Sequence, residues 1–469
     1  MAAKFGTSGL RGLATDMIGA PSRNHVAAFA RHLKVEYNVG AGDAVYIAWD
    51  YRDSSPAILN DVLAGLHSEG LRAITCGAVP TPALAFTAMG QARASIMITG
   101  SHIPADRNGI KFYRPDGEIA KHDEDAIAAG AVHQVVELKP ATPVETTNVI
   151  PAFVQRYVDI FPQRPLTGLR VGVYQHSTVA RDVLVDVLQQ LGANTTALAR
   201  SDTFIPVDTE AVSDQTQTLI SNWCAGGSFD AIVSADGDGD RPLLADETGT
   251  LLRGDFLGLL TARFLNASVA VTPVTSNSGI ERNLTATVVR TRVGSPYVVA
   301  AMEQAQRDGK SGIIGFEANG GFLTFSNFAV HGGTLAPLPT RDCFLPILAA
   351  LFAAKLARKP VSDLAALYSM PFAMADRLEN FPLERSTALM QQLNTSQTSR
   401  NDFFVSFGTI AHTDMTDGLR VTLHNQRIIH LRPSGNAPEF RCYVEAETQA
   451  TAQALLGEVL EKLRAEQRR

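Results

Sequence analysis

Residues 229–241 read FDAIVSADGDGDR, a short apolar run that ends in three aspartates at alternate positions and an arginine. The run has the length and content of a buried strand, and Gly237 and Gly239 let the acidic stretch curl. Curled, Asp236, Asp238 and Asp240 converge on one point, a ligand set for a hard divalent cation. Three protein carboxylates leave such an ion with open positions, and Arg241 beside them suits a phosphate that bridges the gap. An EF-hand reading would put Glu247 at loop position twelve. Position six, where that loop needs glycine, is Arg241, and the flanks read as strands rather than helices. A solvated acidic turn is the plain alternative, because Asp and Gly crowd turns; the terminal arginine argues against it.

The strand before this loop belongs to a rhythm that runs through most of the chain. Ala44–Trp49, Arg72–Cys76 and Ser95–Thr99 are apolar runs of strand length, and Ser54–Glu69 and Thr81–Met89 between them have helical spacing. The alternation restarts at Leu169–Tyr174, with a helix expected at Ala180–Leu191 and a strand at Phe229–Ser234. It restarts again at Ser268–Pro273, Thr287–Arg290 and Gly312–Phe316. Strand alternating with helix builds α/β layers. The last hundred residues differ: Phe403–Ser406, Leu419–His424 and Ile428–Leu431 alternate as antiparallel strands do, and Thr448–Arg464 closes with an amphipathic helix. The expected organisation is therefore three α/β domains, 1–145, 146–253 and 254–362, followed by an α+β domain, 363–469.

Four further stretches carry chemistry by inventory. TGSHIPADRNGIK, 99–111, follows a strand and presents Ser101 at the corner, with His102 beside it and Lys111 ten residues on. An Asn108-Gly109 turn is expected to fold Lys111 back toward the serine. The flanking glycines of a hydrolase nucleophile elbow are missing. RPSGNAPEF, 432–440, offers Arg432, Ser434, Gly435 and Asn436, a phosphate cradle that is also good turn chemistry. GFEANGG, 315–321, sets Glu317 and Asn319 at the mouth of a strand, where open α/β sheets bind ligands. The short loop of Arg292, Val293 and Gly294 is placed to approach the same ligand. KFGTSGLRG, 4–12, puts Arg11 among glycines, an anion-facing loop or, taken alone, a flexible tail. It lacks the ending of a P-loop, and no dinucleotide fingerprint follows a strand.

Composition narrows the class of partner. With 41 basic and 47 acidic residues among 469, the net charge of −6 gives no general attraction for nucleic acid. The four cysteines lie far apart with no ligand spacing, so neither disulfides nor a zinc site is expected. No run reaches the ~18 apolar residues of a membrane helix, and the opening residues carry no signal-peptide core. A cytoplasmic enzyme with no membrane partner is expected, its oligomeric state open between monomer and dimer.

Taken in order, the five stretches resemble the signatures of the α-D-phosphohexomutase superfamily, the bacterial phosphomannomutase/phosphoglucomutase enzymes, along the whole chain. TGSHIPADRNGIK is similar to the phosphoserine loop, with Ile103 where asparagine is usual. The acidic loop is similar to the metal loop, GFEANGG to the sugar loop and RPSGNAPEF to the C-terminal phosphate loop. The resemblance implies four domains around a cleft, three related α/β domains and a C-terminal α+β domain with an antiparallel sheet. It implies that Ser101 carries a phosphoryl group, and that Asp236, Asp238 and Asp240 with a phosphoserine oxygen hold Mg²⁺. Arg241 would steady the phosphoryl group, Lys111 would act as general acid/base, and Arg11 and His102 would lie near the reacting centre. Glu317, Asn319, Arg292 and Gly294 would contact the sugar, and Arg432, Ser434, Gly435 and Asn436 the non-reacting phosphate. The implied reaction interconverts mannose 6-phosphate and mannose 1-phosphate through a hexose 1,6-bisphosphate, which also serves as activator. Glucose phosphates, singly or alongside mannose, are the alternative substrates. Asn319 in place of the frequent serine, and an opening without the glucosamine branch's F-G-T-D-G, make glucosamine the least favoured. A catalytically silent sugar-phosphate-binding protein is the reading of a different class. Intact Ser101, Lys111 and aspartates argue against it.

Overall fold

The computed structural model describes residues 3–6, 9–132, 136, 144–434 and 438–468. By its internal contacts the chain falls into two compact units. One is Met1–Val271 with Gly294–Leu364; the other is Thr272–Val293 with Ala365–Arg469. The architecture is that of a four-domain α/β protein, three related domains and a C-terminal α+β domain.

In the first unit, one topological device recurs three times. Ser95–Ile98 runs parallel to Ala44–Trp49, then turns through a loop into the antiparallel strand Arg107–Arg114. Ala231–Ala235 runs parallel to Arg170–His176, then turns through residues 236–241 into antiparallel Pro242–Asp246. Ile313–Phe316 runs parallel to Val269–Pro273, then turns through 317–321 into antiparallel Phe322–Thr324. Each loop leaves the carboxyl end of a buried parallel strand, the end at which open α/β sheets bind ligands. The strands are apolar because both faces are covered. Val45, Ile47, Ile96, Ile98 and Ile110 pack with Phe29 and Phe112 in the first core. Each such side chain contributes about 1.5–3 kcal/mol on leaving water. The helix Phe344–Ala357 is buried nearly all round and packs on Gly254–Phe264. Its Phe344 ring meets Phe153 and Tyr157 at centroid distances of 5.1 and 5.8 Å, which ties the third domain to the helix Ile150–Val158.

Three sequence expectations are corrected. Asn108 and Gly109 form no turn; they lie inside the strand Arg107–Arg114. Glycine is needed there for close approach, since a Cβ on Gly109 would lie 2.6 Å from the Leu10 carbonyl oxygen and 2.8 Å from that of Thr99. The KFGTSGLRG stretch is neither loop nor tail where it is described. Lys4–Gly6 and Gly9–Leu13 pair as antiparallel strands, and Arg11 sits opposite Gly109. Phe403–Ser406 is not a strand: Gln397–Phe404 is a helix, started by the Ser396 hydroxyl, which accepts from the Ser399 amide at 3.1 Å. A short apolar run has no period that separates the two states, and here the cap decides.

In the second unit, five antiparallel strands are ordered Phe372–Glu379, Glu439–Ala446, Ile428–Pro433, Leu419–Leu423 and Ile410–Asp414. The helices Leu383–Thr395 and Gln449–Arg468 supply Leu389, Leu393, Leu455, Val459 and Leu463 to its core. All four cysteines are buried free thiols.

Candidate active site

Ser101 stands at the head of the first loop with φ +55°, a left-handed conformation that is uncommon for a side-chain-bearing residue. Buried Arg52 holds the chain in that shape. Its Nη1 donates to the carbonyls of Pro104 and Arg107 at 2.7 and 2.9 Å, and its Nη2 to those of Ser101 and Ile103 at 3.0 and 2.7 Å. Asp50 takes the remaining Nε at 3.1 Å and also accepts from the Thr99 hydroxyl at 2.8 Å. The Ser101 hydroxyl is thereby aimed at the second domain, where it donates to Asp236 Oδ2 at 2.5 Å.

The acidic loop curls as its glycines allow. Gly239 takes φ +68°, and the amides of Asp240 and Arg241 both donate to Asp236 Oδ1 at 3.1 Å. One ligand oxygen from each of Asp236, Asp238 and Asp240 lies within 4.8 Å of the others. Asp238 Oδ1 and Asp240 Oδ1 are buried without a hydrogen-bond partner among the described residues. Buried carboxylate oxygens are normally satisfied, so this donor set fits a hard divalent cation. Lys111 donates to Asp238 Oδ2 at 2.6 Å and Asp240 Oδ2 at 2.5 Å. The strand register that sets Lys111 opposite Met97 brings it there, not a turn.

Electrostatics separate the three aspartates. Burial, with Asp238 and Asp240 close by, drives Asp236 well above the usual carboxylate range. Burial pushes Asp240 the same way, but Arg341, Lys111 and Arg241 outweigh it and hold Asp240 below that range. Burial, together with Arg241 and Arg11, lowers His102 to about 2. Its imidazole is therefore neutral, and Nδ1 accepts from Arg241 Nη1 at 2.8 Å. Arg11 is lowered to about 10 by burial and by Arg241 and Arg341, and its Nε has no hydrogen-bond partner among the described residues.

Of the sugar-loop candidates, Glu317 joins the same cluster through Arg341. Glu317 meets Arg341 at 3.4 Å, and Arg341 donates to Asp240 at 3.1 Å. The Asn319 side-chain oxygen accepts from the Gly321 amide at 3.0 Å, and its carbonyl accepts from Thr209 at 3.0 Å. Gly294 caps the helix Ser295–Arg307 in the first unit, whereas Arg292 belongs to the second. In that second unit, Asp417 accepts from the Val293 amide and from Arg432 Nε, both at 2.9 Å. The Ser434 amide donates to the Glu439 carbonyl at 2.8 Å, while Gly435 and Asn436 lie outside the described residues.

Residues 2–134 match the family model for phosphoglucomutase/phosphomannomutase α/β/α domain I. Residues 253–370 match its α/β/α domain III, and 378–462 its C-terminal domain. A phosphomannomutase from Sinorhizobium fredii is 50% identical over 467 residues, 98% of each chain. The chain belongs to the α-D-phosphohexomutase superfamily.

Other relatives of this phosphohexomutase agree. A phosphomannomutase from Salmonella muenchen is 42% identical over 98% of this chain and 95% of its own. A phosphoglucosamine mutase from Dinoroseobacter shibae is 30% identical over 71% of this chain and 77% of its own. Among solved structures, a phosphoglucomutase/phosphomannomutase family protein from Burkholderia thailandensis superposes with TM-score 0.76 at 20% identity, over 98% of this chain and 96% of the other. Parafusin, a phosphoglucomutase from Paramecium, gives 0.75 at 14%, over 98% and 95%. The fold and the sequence relatives support a phosphohexomutase-type isomerase, an intramolecular phosphotransferase with an acidic cluster able to hold a metal ion. No helix among the described residues is long and apolar enough to cross a membrane.

Four residues that bond to the candidate loops escaped the sequence reading: Arg52, Thr81 and Arg341 in the first unit, and Asp417 in the second. Thr81 donates from its amide to the Asp238 carbonyl at 2.9 Å and from its hydroxyl to Asp238 Oδ2 at 2.8 Å. Two of the four had a signal. Asp50 and Arg52 follow directly on the strand AVYIAW, at the same end as the other loops, and Arg341-Asp342 interrupts an otherwise apolar stretch. Thr81 and Asp417 had none: Thr81 meets Asp238 157 residues away, and Asp417 meets Val293 124 and Arg432 15 residues away with no shared motif.

Proposed function

We propose that this protein is a phosphomannomutase, interconverting mannose 6-phosphate and mannose 1-phosphate with Ser101 as the phosphoryl carrier. The observation that carries the reading is the Ser101 hydroxyl held 2.5 Å from an aspartate of the cation cluster, with Lys111 on the same cluster. Mannose as the substrate is supported by relatives at 50% and 42% identity that bear that activity in their names. Asp236, Asp238 and Asp240, with an oxygen of phosphorylated Ser101, would hold Mg²⁺, which supplies charge neutralisation for phosphoryl transfer.

The chain's own groups do the rest. The Ser101 O–P bond breaks as a sugar hydroxyl oxygen bonds to phosphorus, and the proton that this hydroxyl loses is relayed by Lys111 to the departing Ser101 oxygen. Arg241 and Arg11 offer guanidinium charge to the transferring group. His102, neutral and bonded to Arg241, orients that arginine. Glu317 and Asn319 grip sugar hydroxyls, and Arg432, Ser434, Gly435 and Asn436 hold the phosphate that stays. The hexose 1,6-bisphosphate then reorients and returns its other phosphoryl group to Ser101: the sugar O–P bond breaks, and the Ser101 hydroxyl proton passes by Lys111 to the sugar oxygen that leaves.

A coupled assay with Mg²⁺ and catalytic glucose 1,6-bisphosphate tests this on mannose 1-phosphate, glucose 1-phosphate and glucosamine 1-phosphate. The expected result is fastest turnover of mannose 1-phosphate, abolished in Ser101→Ala. Faster turnover of glucose 1-phosphate or glucosamine 1-phosphate, or unchanged turnover in the variant, would overturn it.

A further inference from the structure

We infer that Arg341 is a positioning residue that sets the sugar-loop carboxylate Glu317 against the cation loop. The inference rests on the phosphohexomutase reading of both loops. Arg341 lies on the strand Leu338–Asp342, is 3% exposed, and belongs to none of the five sequence signatures. Its Nε donates to Asp240 Oδ2 at 3.1 Å, and its Nη1 faces Glu317 Oε2 at 3.4 Å. One guanidinium therefore spans a loop of the second domain and a loop of the third.

Its route to that place depends on a missing side chain. A Cβ on Gly321 would lie 2.5 Å from Arg341 Cδ and 2.7 Å from Cγ, far inside contact distance. Gly321 takes an ordinary backbone conformation there, with φ outside the left-handed region. The glycine serves as a slot for the arginine stem. The charge is well compensated once seated. Burial disfavours the cation, but Asp240, Glu118 and Glu317 outweigh it and hold Arg341 ionised. Glu118 is itself fixed by the hydroxyls of Thr340 at 2.8 Å and Ser295 at 3.0 Å. A planar fork reaches two carboxylates at once, which a lysine ammonium on a flexible stem does not reproduce.

The consequence is that substrate grip and cation site share one support. Without it, Glu317 loses the guanidinium 3.4 Å away, is left with the attraction of Arg241, and swings; an error near 1 Å in a substrate-positioning group costs up to about 10²-fold. Steady-state kinetics on mannose 1-phosphate would compare the wild type with Arg341→Met, Arg341→Lys and Gly321→Ala. Gly321→Ala keeps every charge and blocks only the slot, so it answers the question even where Arg341→Met fails to fold. The expected outcome is a KM raised about tenfold or more in Arg341→Met and Gly321→Ala, with a smaller change in kcat and partial recovery in Arg341→Lys. A KM within about twofold of wild type in Gly321→Ala, with its unfolding midpoint unchanged, would overturn the inference. Crystal structures of the wild type and Gly321→Ala give a readout that needs no turnover. Displacement of the Glu317 carboxylate by about 1 Å supports the positioning role, and an unmoved carboxylate refutes it. Absence of turnover by the wild type would count against the proposed reaction alone, and the two crystal structures would still decide the role of Arg341.

Discussion

Asp238 and Asp240 each keep one oxygen buried without a hydrogen-bond partner among the described residues, while their other oxygens take Lys111. An acceptor left so is costly unless something positive comes to it, and the alternation of Asp with Gly already announced that arrangement in the sequence. Removing one charge should be felt directly. Asp238→Asn is expected to weaken Mn²⁺ binding at least about tenfold, read by electron paramagnetic resonance of the free ion, because hard cations favour carboxylate over amide oxygen. Unchanged binding would remove Asp238 from the ligand set. What no single stretch of sequence disclosed is the conformation of Ser101. Its left-handed φ is imposed by Arg52, forty-nine residues earlier in the chain.

Elements explain why three loops with unrelated compositions meet. Each is the turn between the last parallel strand of a sheet and its first antiparallel neighbour, so the same topology delivers each loop to the same end of its domain. The strands were legible because they are short apolar runs bounded by glycine and aspartate. The antiparallel return was not, and Asn108-Gly109 was misread as a turn because glycine marks both turns and close strand approach. The first loop also shows what fixes an irregular segment. Arg52 satisfies four of its carbonyls and pairs with buried Asp50, which burial pushes above the usual carboxylate range despite Arg52. Arg52→Met should therefore cost about 3–5 kcal/mol, the range for stripping the partner from a buried charge. A urea unfolding series measures it, and a loss under about 1 kcal/mol would show that the loop is held by other contacts.

At the scale of the whole molecule, buried neutral histidines make stability depend on pH. Burial, opposed in part by a hydrogen bond to the Ala235 carbonyl, lowers His176 to about 4, and burial likewise lowers His430 to about 4. In the unfolded chain both take up a proton near the ordinary value of 6.5. Between pH 6.5 and 4 the unfolded state therefore binds more protons. The contribution to stability is complete above pH 6.5 and is lost as the pH falls, by up to about 1.4 kcal/mol per pH unit for each group. Thermal unfolding followed from pH 7 to 4.5 should show a falling midpoint, with a shallower fall in His176→Gln. A flat profile in the wild type would refute the assignment.

The alternation of strand and helix, the antiparallel pattern of the last hundred residues and the order of five chemical signatures were all present in the sequence, because they depend on local composition and periodicity. The tertiary structure alone decided which charges meet. Arg341 and Asp240 are 101 residues apart, Lys111 and Asp240 are 129 apart, and Ser101 and Asp236 are 135 apart. No local pattern encodes such pairs. They exist because three sheets present corresponding loops to one another, and because at their meeting point Arg341, Lys111 and Arg241 hold buried Asp240 ionised.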